Sequence, residues 1–256
     1  MALTLSSTGQ GGVFTLRGGS FGGRFQASVT PPTIPIVSSG LIVYLDAGNP
    51  LSYAGTGPTW FDISGNSANA TIFNSPTYST LNGGYFVMNG TNNYITPSTS
   101  VLGTNTTQTI WYRWNGVNQA KILAALISTD GNTGYGMYMN DGSNSGTAGN
   151  RIVGIIPFNS YNGGGVTSPL SSTNWTQITM IRNASLGQMQ FYINGIFNGG
   201  GNSFANGADT VLPFTLGSSG AAFVAGNLGA AMLYNRALSA AEVLQNYNAT
   251  KTRFGL

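Results

Sequence analysis

The stretch Gln188-Met189-Gln190-Phe191-Tyr192-Ile193-Asn194-Gly195-Ile196-Phe197 decides the fold class. In an extended chain Met189, Phe191 and Ile193 fall on one side. Gln188, Gln190 and Asn194 fall on the other, with the amphipathic Tyr192. That period of two is the pattern of a half-buried strand. Asn194-Gly195 then supplies a tight-turn dipeptide, and Ile196-Phe197 carries the chain back as a hairpin. The same vocabulary recurs outward from this point. Leu41 to Asp46 is apolar enough for a central strand. Tyr85 to Met88 leads into Asn89-Gly90, a second tight-turn signal, and Tyr94-Ile95 resumes an extended run. Gln108 to Trp114, Gly134 to Asn140 and Arg151 to Ile156 also read as extended. Lys121 to Ile127 has Ala and Leu content that favours helix, but a short run between turn signals suits a strand better. One helix is expected: Ser239-Ala240-Ala241-Glu242 is a capping box, followed by an apolar face of Val243, Leu244 and Tyr247, with the end near Asn248.

Composition narrows the function classes. Of 256 residues only 6% are charged, against about 25% in an average domain. Asn, Ser, Thr and Gln supply the polarity instead. The longest apolar runs, such as Leu41 to Leu45 and Ile122 to Ile127, fall well short of the roughly 18 residues of a membrane helix, so no membrane partner is expected. Met1 to Gln10 has neither a basic n-region nor an apolar h-region, so no secretory signal is expected. The nine Lys and Arg residues give a net charge of +3 but form no run, which argues against a nucleic-acid partner. There is no Cys, hence no disulfide framework. There is no His, which removes the commonest general base and excludes a Ser-His-Asp triad.

The first thirty residues differ from the rest. Leu3 to Leu5, Val13 to Arg17 and Arg24 to Thr30 are short alternating stretches punctuated by paired glycines. Three such strands cannot bury a core alone. Residues 1–37 are therefore expected to be a Gly-rich β arm plus a stiff link at Pro31, Pro32 and Pro35, and residues 38–256 the main domain. Phe14, Leu16, Phe25 and Val29 are the candidate assembly residues of the arm.

Five segments in order resemble the landmarks of concanavalin A-like lectin/glucanase (laminin-G-like) domains. They are Gly40 to Pro50, Trp60 to Asn66 with Asn69 to Ile72, Tyr85 to Ile95, Trp175 to Ile181 with Met189 to Gly195, and Leu233 to Val243. The resemblance covers roughly residues 38 to 250. It implies a jelly-roll of two stacked antiparallel sheets with a short C-terminal helix. The ending Asn246 to Gly255 is similar to domains in structural proteins of tailed phages, especially those infecting cyanobacteria. That resemblance implies a virion surface protein, a capsid decoration or tail fibre component. Its partners would be other virion proteins, further copies of itself and glycans. A free lectin or adhesion module is the alternative.

Catalysis is not expected from the carboxylates. Glycoside hydrolysis normally uses two carboxyl groups flanking one bond. Only Asp46, Asp62, Asp130, Asp141, Asp209 and Glu242 exist, and no closely spaced Glu and Asp motif of the glucanase kind is present. The sequence thus reads as a non-enzyme. Asp46 and Asp62 sit in turn contexts that suit capping of backbone amides. No cofactor is expected; calcium remains an alternative for Asp62 with Asn66 or Asn140 with Asp141, since many relatives hold it through such oxygens. Sugar binding needs an aromatic platform and planar polar partners. Tyr135, Tyr138, Asn140, Asp141 and Tyr161 are the candidates, with packing and turn roles as their alternative. Trp60, Trp111, Trp114 and Trp175 read as packing residues.

Overall fold

A computed structural model of the chain describes residues 34–102, 104–116, 121–127, 134–140, 151–155, 166, 170, 174–202, 211–218 and 223–256. The expected arm, with Phe14, Leu16, Phe25 and Val29, lies outside these residues, as do Asp141 and Tyr161.

The chain forms β1 (Leu41–Asp46), β2 (Thr59–Trp60), β3 (Ala70–Phe73), β4 (Thr77–Ser79), β5 (Tyr85–Asn89), β6 (Tyr94–Pro97) and β7 (Ser100–Leu102). Then follow β8 (Asn105–Trp114), β9 (Lys121–Ile127), β10 (Gly134–Asn140), β11 (Arg151–Ile155) and β12 (Thr176–Asn183). The last elements are β13 (Gln188–Ile193), β14 (Ile196–Asn202), β15 (Val211–Leu216), β16 (Ala225–Tyr234) and the helix α1 (Ala240–Thr250). The first sheet runs β14-β13-β12-β8-β16-β5-β4, with β1 also on β16. The second runs β11-β10-β9-β15-β6-β3-β2, with β7 on β15. Alternate residues of both sheets, among them Trp60, Phe86, Tyr112, Phe191 and Phe214, meet in one core. The expected all-β, two-sheet jelly-roll with a short C-terminal helix is what the chain adopts.

The hairpin read from the sequence forms as expected. Asn194 and Gly195 both take left-handed angles, φ 51° and 79°, and Ile193 pairs with Ile196. That is the backbone a two-residue turn between twisted strands requires. Asn89-Gly90 behaves differently. It does not close a hairpin: β5 belongs to the first sheet and β6 to the second. The Asn89 side-chain oxygen accepts the amides of Thr91, Asn92 and Asn93 at 2.9, 3.1 and 3.3 Å. This side chain replaces a cross-strand partner and swings the chain from one sheet to the other.

Helix α1 starts in the capping box, Ser239 and Glu242 each accepting the other's amide. It runs past the expected end to Thr250 and tightens into a 3-10 turn over Lys251–Phe254. Phe254 draws the chain on. Its ring stacks on Trp111 at 4.1 Å and meets Trp175 at 4.9 Å. Trp111 also donates to Thr250 Oγ1 at 2.9 Å. Beside them Ile181, Tyr192, Met232 and Tyr234 are buried with Leu238 and Val243. Tyr234 donates to the Val37 carbonyl at 2.9 Å and accepts from Asn246 Nδ2 at 3.0 Å, and burial pushes its hydroxyl up to about 12. The centre of the first sheet's outer face is therefore covered by the C-terminal segment and by Ile36 and Val37, while Ile196 and Phe197 on β14 stay exposed. All four Trp side chains are buried, as read from the sequence. No helix among the described residues is long and apolar enough to cross a membrane.

Candidate functional site

The second sheet presents its outer face differently. Ile72 and Ile95 point into the core, so Thr71 and Phe73 of β3, with Tyr94 and Thr96 of β6, point outward. Thr71 lies opposite Thr96, and Phe73 opposite Tyr94. On β15 the outward residues are Val211, Pro213 and Thr215, the last paired with Ala125 of β9, which pairs in turn with Gly136 of β10. Over β9, β10 and β11 this face is buried. Over β3, β6 and β15 it is open: Thr71 is exposed, and Phe73, Tyr94, Thr96 and Thr215 are half-buried.

Two aromatic rings form the centre of the open part. Phe73 and Tyr94 are parallel, 4.3 Å between centroids with 4° between planes. Phe223 leans on Tyr94 at 6.1 Å. Register causes the stack, since directly opposed side chains of an antiparallel pair lie within about 5.5 Å of one another. One end of the row is held rigid by amides. Asn74, at φ 60°, donates to the Asn92 carbonyl at 2.7 Å. Asn93 Nδ2 donates to the Asn74 carbonyl at 2.9 Å, and Asn93 Oδ1 accepts the Asn89 amide at 3.0 Å. Asn74, Ser75 and Asn92 remain exposed. The result is an aromatic patch bordered by threonine hydroxyls on one side and carboxamides on the other, on a rigid sheet. Such a surface can cover an apolar ring face and exchange hydrogen bonds at its edge.

The sugar-binding candidates read from the sequence divide. Tyr135 requires correction. It is 0% exposed and faces the core, its hydroxyl bonded to Thr106 Oγ1 and its ring 5.2 Å from the Arg182 guanidinium. Burial raises its pKa. It cannot meet a soluble ligand in this fold, because odd positions at the start of β10 point inward. Tyr138 lies on the opposite face of β10, beyond a register shift, and is 7% exposed. It shares the outer face with Tyr94 but stands three strands away, about 14 Å at the usual strand spacing. Asn140 ends β10. Phe73, Tyr94 and Phe223 were not among the candidates. Their alternation with Ile72 and Ile95 is visible in the sequence, but their apposition comes from strand register.

The turn carboxylates act as caps. Asp62 Oδ1 accepts the amides of Tyr44 and Ser64 at 2.8 and 2.9 Å; Oδ2 accepts Ser64 Oγ at 2.7 Å and the Ala68 amide at 3.0 Å. Asn66 donates to the Leu41 carbonyl at 2.9 Å. A cation at Asp62 would have to displace these donors. Asp46 accepts the Gly48 amide at 2.9 Å and pairs with Arg253 at 2.9 Å. Burial lowers the Arg253 pKa, an effect Asp46 opposes. Among the described residues no three acidic side chains gather as a metal site.

Residues 89–244 match the sequence model of the concanavalin A-like lectin/glucanases superfamily. No curated protein matches the chain. Solved structures do. Trypanosoma rangeli sialidase aligns with a TM-score of 0.61 at 15% identity, over 84% of this chain and 33% of that one. Domain 4 of a GH43 extracellular arabinanase from Geobacillus stearothermophilus, in complex with arabinotriose, aligns with a TM-score of 0.60 at 16% identity, over 82% of this chain and 98% of that one. The botulinum neurotoxin type G receptor binding domain aligns with a TM-score of 0.52 at 17% identity, over 82% and 51%. This chain thus spans a third of the sialidase chain's length, 33%. At such identities the likeness is one of fold. The lectin-like fold read from the sequence is shown.

The reading of a non-enzyme is corrected by the same comparisons. Two of these structures are a sialidase and a domain of an arabinanase, so this architecture occurs within enzymes that act on glycans. The carboxylate count assumed a chain that must carry its own acid and base. It has no force for a module that accompanies a catalytic part.

Proposed function

Because the chain belongs to the concanavalin A-like lectin/glucanases superfamily, we propose that it is a carbohydrate-binding module whose ligand lies on the open outer face of the second sheet. The observation that carries this reading is the parallel Phe73–Tyr94 stack, half-buried among hydroxyls and carboxamides. A sugar ring has an apolar C–H face and a polar edge. The stack covers the first; Thr71, Thr96, Asn74 and Asn92 answer the second. The other outer face is covered by α1 and the 3-10 turn over its centre, and the aromatic ring it leaves exposed, Phe197 on the edge strand β14, meets Tyr192 edge-on at 76° rather than in a parallel pair. Truncating one wall of an aromatic pair removes about 1 to 1.5 kcal/mol, close to tenfold in affinity. A glycan array probed with the intact chain should give ligands whose binding falls by about that factor in Phe73→Ala and in Tyr94→Ala. Glycan binding untouched by both substitutions would move the site elsewhere.

The setting we propose is the surface of a tailed-phage virion, as a capsid decoration or tail fibre component. The support is the resemblance of the C-terminal segment and the Gly-rich pattern of residues 1–30, whose Phe14, Leu16, Phe25 and Val29 suit strand addition to another virion protein or a further copy. A cryo-EM map of the particle with the sandwich displayed outward is the expected result. Recovery of the chain only outside particles would overturn this setting.

A further inference from the structure

We infer that the ligand of this face is a neutral glycan, and that sialylated, sulfated and uronic acid glycans are not accepted there. The inference rests on the reading of the Phe73–Tyr94 face as a carbohydrate site and specifies its ligand class.

The distribution of charge carries it. The whole chain has nine Lys and Arg residues, and the seven among the described residues can be placed relative to the open face. Arg17 and Arg24 lie outside the described residues. Arg236 pairs with Glu242 at 2.6 Å beside α1, and Arg253 with Asp46 at 2.9 Å. Lys251 lies over Tyr247, and Arg113 over Tyr85 and Trp175, all on the side of the first sheet. Arg182 is 0% exposed, in the interior. Only Lys121 and Arg151 belong to the second sheet. Lys121 is opposite Met139, whose side chain is in the core, so it leaves β9 on the inner side. Arg151 is on β11, the last strand, four strands from β6 and hence about 19 Å away.

The connections of the second sheet add no cation. The sequence puts Asp130 between β9 and β10, Asp141 between β10 and β11, and Asp209 before β15, with no Lys or Arg beside them. Whatever charge those segments bring is negative. A carboxylate or sulfate laid against the stack would lose hydration without gaining a counter-charge. Recognition of such anions ordinarily relies on a guanidinium or ammonium partner. A neutral polyol meets no such penalty, and its hydroxyls find Thr71, Thr96, Thr215, Asn74 and Asn92.

The test is affinity electrophoresis of the intact chain through gels holding a neutral polymer (arabinan, mixed-linkage glucan or mannan) or an acidic one (polysialic acid, heparin or alginate), at low and high salt. At least one neutral polymer should retard the chain. That retardation should fall roughly tenfold in Tyr94→Ala, be kept in Tyr94→Phe, and ignore salt. Retardation by an acidic polymer that Tyr94→Ala abolishes would overturn the ligand class while leaving the site standing. Retardation by no polymer of either kind in a Tyr94-dependent way would overturn the site and, with it, this inference. Salt-sensitive retention by acidic polymers that Tyr94→Ala leaves intact arises from cations away from this face, and supports the inference when neutral retention depends on Tyr94.

Discussion

Replacing Gln108 by Met should stabilise the protein. Gln108 is on the inner face of β8, opposite Met180 of β12 and Leu233 of β16, and is 0% exposed. Neither its Oε1 nor its Nε2 has a hydrogen-bond partner. Turning the amide over exchanges one orphan for the other and relieves nothing. A buried amide without compensation costs about 1 to 3 kcal/mol in protein contexts. Met keeps the unbranched shape of Gln and puts a thioether where the amide was, beside two apolar neighbours. The expected gain is therefore about 1 to 3 kcal/mol, or roughly 2 to 12 °C in Tm for a domain of this size. In urea the midpoint should rise at constant slope, which separates stability from a change in the unfolded chain. Gln108→Ala also removes the orphans but leaves a cavity, so it should melt below Gln108→Met. A Met variant that melts below the wild type would refute the reasoning. It would show that the amide is satisfied in solution, most simply by an internal water.

Two other outcomes follow from the C-terminal contacts. The Arg236 guanidinium, with the Ser239 amide and hydroxyl, holds the Glu242 carboxyl down at about 2 from its ordinary 4.5. The unfolded chain then takes up the proton first as pH falls, so this contribution is full above about pH 4.5 and is lost toward pH 2. Glu242 is largely solvent-screened, which limits the effect to roughly 0.5 to 1 kcal/mol; the Tm gap between wild type and Glu242→Gln should close over that pH range, and an unchanged gap would contradict the assignment. Deleting residues 1–33 should leave a soluble domain that melts cooperatively. Extending the deletion through Val37 removes a buried side chain, the 2.8 Å bond from its amide to Asn246 Oδ1 and the 2.9 Å bond from Tyr234 to its carbonyl. That should cost roughly 2 to 5 kcal/mol; equal melting of the two truncations would mean these contacts add nothing.

What could be read from the sequence was what is settled within a few residues. The Asn194-Gly195 turn and the Ser239-Glu242 capping box depend on neighbours only, and both form. Asn89-Gly90 has the same dipeptide but a different outcome. Its Asn side chain captures three amides of Thr91, Asn92 and Asn93, and the chain leaves for the other sheet. The helix end moved from Asn248 to Thr250 because Trp111 and Trp175, distant in sequence, offer Phe254 a place to pack.

The candidate site failed to appear for the same reason in stronger form. Alternation shows that Tyr135 and Tyr138 take opposite faces of β10, but not which face is the core; that is set by β9 and β11. Phe73 and Tyr94 become neighbours only when β3 pairs with β6 in one register. A shift of one residue between β3 and β6 would set Phe73 opposite Ile95, on the inward face, while Tyr94 stayed outward, and the pair would be lost. Nothing near Phe73 or Tyr94 in the chain announces a ligand, because a flat aromatic patch needs no special turn, charge or metal. Its informative property is negative: with charged residues at 6%, five of the seven cations among the described residues are committed to the first-sheet side or the core. The sequence listed those charges, but only the fold shows which face they leave neutral. The proposed ligand class follows from where the topology does not bring a charge, and it can be tested at a single residue, Tyr94, without disturbing the core.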